Sequence, residues 1–218
     1  MLPDAMTRQQ SRSAHCPICQ HDFDYNVLLS TNAAGGIESD FRARAVGTDP
    51  LPFTVLTCPR CSYSADTARF EQPVLPGVAY QLKTLVERIL AETPGKHSRR
   101  FHLAAELLDQ AGEEPQDTGW MFLRASWMAR DESDAPAEAL YQRRASESFR
   151  KYLTDNGHAP DAGQVTYLLG ELARRLGDFE TACTLLGQVS RTERFYPTAQ
   201  KMLERAREQD RRPARFGE

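Results

Sequence analysis

An α+β fold, mostly α, is predicted for this 218-residue chain by three observations. Two hooks, Cys16-Pro17-Ile18-Cys19 and Cys58-Pro59-Arg60-Cys61, sit beside short segments of period-two alternation. Prolines and a glycine then punctuate Glu71 to Gly77, and beyond them the apolar period becomes 3.6 through seven successive stretches. The expected organisation is a small N-terminal metal-closed module over residues 13–70, a domain of antiparallel helical hairpins over 78–209, and flexible termini at 1–12 and 210–218.

Four thiols in two i, i+3 turns match a tetrahedral metal cage, so Cys16, Cys19, Cys58 and Cys61 are the expected ligands, with structural Zn2+ as the first expectation. A rubredoxin-like iron centre and redox-active thiols are the alternatives. A closed four-sulfur shell leaves no position for a reacting water, so no hydrolysis is expected from it. Proline at the second place of each hook presets φ and starts the turn, after which backbone N–H groups can bond the sulfurs. Gln20 and Ser62 stand where the chain turns through positive φ and glycine is usual, at about 1 kcal/mol each. His15 and His21 flank the first hook and read as surface residues, and Cys183 reads as a small core residue on an apolar helix.

Phe23, Tyr25, Val27 and Leu29 alternate with more polar neighbours as a strand leaving the first hook, and Phe53 to Val55 form a second that enters the next. Pairing those two strands antiparallel closes a zinc ribbon. The 38 residues between Cys19 and Cys58 exceed the roughly fifteen to twenty of a compact ribbon. The surplus, from Asn32 to Pro52, implies a third strand near Phe41 to Val46 or a functional flap.

The helices follow in order. Leu82, Leu85, Val86, Ile89 and Leu90 form one stripe, and after Pro94-Gly95 come Phe101, Ala104, Leu107, Leu108 and Ala111. Trp120, Leu123 and Trp127 mark a third helix whose aromatic stripe reads as core. Asp134-Ala135-Pro136 opens a fourth, which closes at Asn156-Gly157. Asp161 with Gln164 predicts a capping box for a fifth, striped by Val165, Leu168, Leu169, Leu172 and Leu176. Asp178 caps a sixth, and Pro197 starts a seventh with Ala199, Met202, Leu203 and Ala206.

Charge and chemistry narrow the function. Net charge is -3, and between His15 and Asp66 six acids face three arginines, so nucleic-acid binding is not expected. Met1 to His15 lacks the apolar run of a signal peptide, and no stretch reaches the length of a membrane span, which places the protein in the cytoplasm, with reduced thiols. His-Glu-x-x-His, Gly-x-Ser-x-Gly and Gly-x-Gly-x-x-Gly are all absent, so the chain is not expected to be an enzyme. His97 and His102, five apart, read as surface histidines.

Leu169-Gly170, then Gly177-Asp178-Phe179 and Ala182, resemble the tetratricopeptide repeat, in which small residues let two helices approach and a glycine turn reverses the chain. That resemblance implies a groove faced by Gln164, Tyr167, Glu171, Arg174 and Arg175 that takes a protein or peptide partner; for the two arginines a solvated helix face is the alternative. CPIC, a polar loop with Asp40-Phe41, Asp49-Pro50-Leu51-Pro52-Phe53-Thr54-Val55-Leu56-Thr57, CPRCSYSA and the helices together resemble the bacterial family called domain of unknown function 2225, over about residues 13 to 207. The resemblance implies a cytosolic metal-binding protein and supplies no activity. The leading expectation is a non-catalytic zinc-binding protein with a helical interaction domain; the alternative is a thiol redox or metal-relay protein.

Overall fold

The computed structural model describes residues 8–74, 76–92 and 96–217; the Pro94-Gly95 break lies outside them. Strands β1 (Gln9–His15) and β2 (Asp22–Leu28) form one antiparallel pair, and β3 (Val55–Thr57) and β4 (Ser64–Asp66) form another. This corrects the expected pairing of the strand after the first hook with the strand before the second: each instead pairs across its own hook. The register runs from His15↔Asp22 to Gln9↔Leu28, and from Thr57↔Ser64 to Val55↔Asp66. The reason is local. Each hook is itself a hairpin turn, so closing the ladder costs the entropy of a few residues rather than of the long intervening segment. Residues 9–12, expected to be a flexible terminus, are β1. Phe53 lies in a 3-10 turn (Leu51–Phe53), and β3 begins two residues later.

Seven helices follow among the described residues: α1 (Pro76–Glu92), α2 (Ser98–Gln110), α3 (Pro115–Asp131), α4 (Ala135–Asn156), α5 (Ala162–Leu176), α6 (Phe179–Gly187) and α7 (Tyr196–Arg207). From α2 onward consecutive helices pack on one another, as short connections require. Asp134 caps α4 by accepting from Ala137 N–H at 3.1 Å, and Asp178 caps α6 by accepting from Thr181 N–H at 3.2 Å. Asp161 makes no side-chain cap on α5; it accepts from Tyr152 Oη at 2.8 Å and from the Gln116 amide, so the capping box is not formed. A Cβ on Gly119 would meet the Phe149 ring at 2.7 Å, and one on Gly170 would meet Leu186 Cγ at 2.8 Å. These glycines set how closely α3 meets α4 and α5 meets α6. No described helix is long and apolar enough to cross a membrane.

Two cores form, and the sequence boundary at residues 70–78 does not separate them. One joins Cys16, Cys58, Tyr63 and Phe70 to Leu82, Leu85 and Ile89 of α1; the other fills α2 to α7 and includes Leu51 and Val55. Phe122, Trp127 and Met128 are buried there, with Trp120 partly covered and Cys183 packed at its edge. His102, read as a surface residue, is buried against Phe122 and Tyr141 with Nε2 3.3 Å from Glu106. Residues 210–217, expected to be loose, fold back onto the helices: Ala214 is buried and Arg215 bridges to Glu38.

Candidate metal centre

Both hooks fold as the same knuckle. Gln20 N–H donates to Cys16 O at 2.9 Å and Cys16 N–H to His21 O at 3.0 Å; Ser62 N–H donates to Cys58 O at 2.9 Å and Cys58 N–H to Tyr63 O at 2.8 Å. Gln20 and Ser62 take φ of 57° and 59°, so the left-handed turn is kept without glycine, as the sequence predicts. Two identical turns, each continued by its own antiparallel ladder, then face one another.

The result brings all four sulfurs together. Cys16 Sγ lies 3.6 Å from Cys61 Sγ and Cys19 Sγ lies 3.5 Å from Cys58 Sγ, with every pair within 4.8 Å. A tetrahedron with metal–sulfur bonds of about 2.3 Å has edges of about 3.8 Å, so the cage has the dimensions of a four-thiolate metal site. All five cysteines are free thiols, and the fifth, Cys183, lies outside the cage.

The thiols are not equivalent. Burial pushes the Cys16 thiol up, and pushes that of Cys61 far up. At Cys58 burial acts in the same direction, but N–H donation from Cys61 and Arg60, followed by bonds from Cys19 and Cys61, wins and holds it below its ordinary value. Ligation requires thiolates, so a divalent cation bound here displaces the sulfurs' protons. Burial of the Tyr63 hydroxyl beside these sulfurs raises it to about 12. Cys16 and Cys58 are fully buried, whereas Cys19 and Cys61 border a cavity of about 450 Å³ walled by Ile18, Arg60, Leu82 and Val86. His15 bonds Asp22 at 2.7 Å and Gln20 at 2.9 Å on the surface, and neither it nor His21 belongs to the sulfur cluster.

The long segment between the knuckles is neither a regular third strand nor a free flap. One bridge, Ile37↔Ala43, pinches it, and the residues between dock into the helices through charge. Arg42 is 1% exposed; it donates to Trp127 O at 2.8 Å, to Asp131 Oδ1 at 3.0 Å and to Asp49 Oδ2 at 2.6 Å. Asp40, equally buried, accepts from Arg130, which also bonds Glu38 and Glu138. Desolvation alone would raise Asp40, but Arg130 and then Arg175 hold it below the usual carboxylate range. Glu138 also takes Arg175 Nη2 at 2.6 Å, so Arg175 is spent on α4 rather than facing a groove. Composition gave no sign of this network, because no sequence period marks which surface acids meet which arginines.

The expected groove is filled by the chain itself, which corrects the reading of its wall as open. Tyr167, Glu171 and Arg174 are completely buried, and Gln164 is half-buried near the start of α5. Tyr167 Oη donates to Ser39 O at 2.6 Å, and Ser39 Oγ donates to Glu171 Oε1 at 2.6 Å. Arg174 holds both Glu171 oxygens, at 2.6 and 2.8 Å, and donates onward to the main-chain oxygens of Asp210 and Arg212. Burial pushes the Tyr167 hydroxyl well up. The solvated-face alternative for Arg174 and Arg175 fails for the same reason.

Fold and site together define a double-knuckle four-cysteine module, compatible with a metal ion, built onto a helical body. The chain belongs to the family described as an uncharacterized protein conserved in bacteria (DUF2225), whose model matches residues 10–212. No curated protein and no solved structure matches it.

Proposed function

We propose that this chain is a non-catalytic zinc-binding protein: Cys16, Cys19, Cys58 and Cys61 hold one structural Zn2+, and the helical, tetratricopeptide-like part serves a protein or peptide partner in the cytoplasm. The observation that carries the zinc reading is the sulfur cage, with two edges of 3.5 and 3.6 Å, every pair within 4.8 Å, and backbone N–H groups directed at Cys58. Such a site closes four-coordinate and contributes about 10 kcal/mol or more to folding at neutral pH, without an open position for chemistry. The close α3–α4 and α5–α6 approaches at Gly119 and Gly170 support the helical-repeat reading. Six acids against three arginines around the cage disfavour a nucleic-acid partner. Metal analysis of the purified protein tests the proposal: one tightly held zinc per chain is expected, lost in Cys58→Ser, and a metal-free chain with native far-UV and near-UV signals would overturn it.

A second reading, thiol redox or metal relay with iron as the minor alternative metal, draws on the cavity that borders Cys19 and Cys61. It predicts a red, iron-loaded protein or thiols that oxidise readily, and a zinc-loaded chain inert to mild oxidant excludes it.

A further inference from the structure

The segment after α7 lies over the buried face of α5, where Arg174 donates to its main-chain oxygens. It meets the inter-knuckle loop in one antiparallel bridge, Glu38↔Arg215: Ser39 N–H donates to Ala214 O at 2.8 Å and Phe216 N–H donates to Ile37 O at 2.8 Å. Alternate residues divide as they do in strand addition, with Ala214 buried, Arg215 exposed, and the Phe216 ring 5.5 Å from Phe41. Phe41 in turn stacks among Tyr167 and Phe195, so Phe216 enters an aromatic pocket built by the loop, α5 and the α6–α7 connection. Arg174 recognises only main-chain oxygens of this segment, a contact any extended peptide can make.

The two fillers of the groove are held very differently. The loop is tied to a knuckle at each end and pinned by Arg42, Asp40 and Glu38. The segment 210–217 is held by one antiparallel bridge, by Arg174 and by buried Ala214; Arg211, Arg212, Pro213, Arg215 and Gly217 are exposed, and it leaves α7 through Gln209 at a left-handed φ of 57°. Local opening draws on segments of this kind, in which most residues are exposed and a single bridge supplies the backbone pairing.

We propose that residues 210–217 are a displaceable intrachain ligand, and that the site beneath them binds an extended partner peptide carrying a small residue and, two positions on, an aromatic one. The proposal rests on the reading of the helical part as a peptide-binding domain and adds the recognition pattern and the gate. Tethering gives the segment an effective concentration of about 1 mM, so if the detached segment binds the open site at about 10 μM, the closed form outweighs the open one roughly 100-fold and any partner's affinity falls by that factor.

The experiment uses a chain ended at Gln209 and a fluorescent synthetic peptide of residues 209–217, read by anisotropy, with zinc content and circular dichroism taken on the same samples. The shortened chain is expected to bind the peptide, the full chain at least 10-fold more weakly, and a peptide with Phe216→Ala more weakly still. Full-length Phe216→Ala, which loosens the segment without removing it, is expected to gain binding of the native peptide. Equal binding by shortened and full chains, or no binding by a folded, zinc-loaded shortened chain, overturns the gate. Unfolding of the shortened chain overturns it as well, because the segment is then part of the core. If the folded shortened chain binds unrelated extended peptides but not this one, the gate fails while the interaction reading stands; if it binds none, both fail.

Discussion

Replacing Arg42 by alanine tests the claim that the inter-knuckle loop is fastened to the helices by charge. The side chain is 2% exposed and its guanidinium serves three acceptor groups: Trp127 O, Asp131 and Asp49. Asp131 keeps Arg44 at 3.0 Å and Asp49 keeps it at 3.7 Å, and both carboxylates are about a third exposed at 32%, so water and Arg44 recover much of that loss. Trp127 O recovers less, at about 1–2 kcal/mol. Emptying the space of the buried three-carbon stem adds about 1–2 kcal/mol, and the residual carboxylate loss about 1 kcal/mol. The sum is about 4 kcal/mol, within the range for breaking a buried ion pair from one side. With a urea slope of about 2.5 kcal/mol per molar, the midpoint falls by about 1.5 M at unchanged slope. Arg42→Lys keeps the charge but loses the planar fork and falls roughly half as far. A midpoint shift below about 0.5 M for the alanine variant would refute the fastening, and a lysine variant equal to the parent would show that charge alone, not the fork, holds the loop.

Gly170→Ala places a methyl 2.8 Å from Leu186 Cγ, and the overpacking of about 1–3 kcal/mol outweighs the gain of about 1 kcal/mol in helix propensity; Gly187→Ala, with nothing within 4 Å, is the control whose melting temperature holds or rises. Asp40, Asp131 and Glu106 all sit below their ordinary values because arginines, and for Glu106 also His102, outweigh desolvation. Their folded values lie below the unfolded ones, so their contribution is complete only above the unfolded carboxylate range, from about pH 5 upward, and is lost as pH falls through the folded values; urea midpoints that rise between pH 5 and pH 3 would contradict this. Chelation at neutral pH or Cys58→Ser is expected to remove the metal and lower the stability of the whole chain; an unchanged thermal midpoint after proven metal loss would exclude a structural role.

The parts of this fold that were legible in the sequence are those whose signal is periodic or chemically unambiguous. Paired Cys-Pro-x-Cys spacing located the cage, and the stripe from Val165 to Leu176 located α5, because both depend on neighbours in sequence. Strand β1 was missed: six of its seven residues are exposed, and Gln9 to Ser13 carry no apolar alternation, so only the hairpin across the hook makes them a strand. The burial of Glu171 and Arg174 was illegible for another reason. Polar residues on an amphipathic helix read as solvent-facing, and here partners 132 residues upstream and 36 residues downstream cover them. Successive antiparallel helices were legible, but which of their faces meets solvent depended on a loop and a tail whose own sequences carry no period.

The two cores share walls, which links the cysteine cage at one end of the molecule to the helices at the other. Within β3, Val55 packs into the helical core while its neighbour Leu56 packs into the metal-side core, as residues on opposite faces of one strand must. In α2, Phe101, Ala104 and Leu108 face the first core while Leu103 faces the second. One short strand and one helix are thus walls common to both cores, and β3 leads directly into Cys58. With a metal bound in the cage as proposed, its removal is expected to free that strand's end and to loosen Leu56, Val55 and Leu51 together, and with them the loop that carries Asp40 and Arg42. The cage and the groove thus share packed side chains about one strand long, and a single cooperative unfolding transition is the expected outcome; two resolved transitions would contradict it.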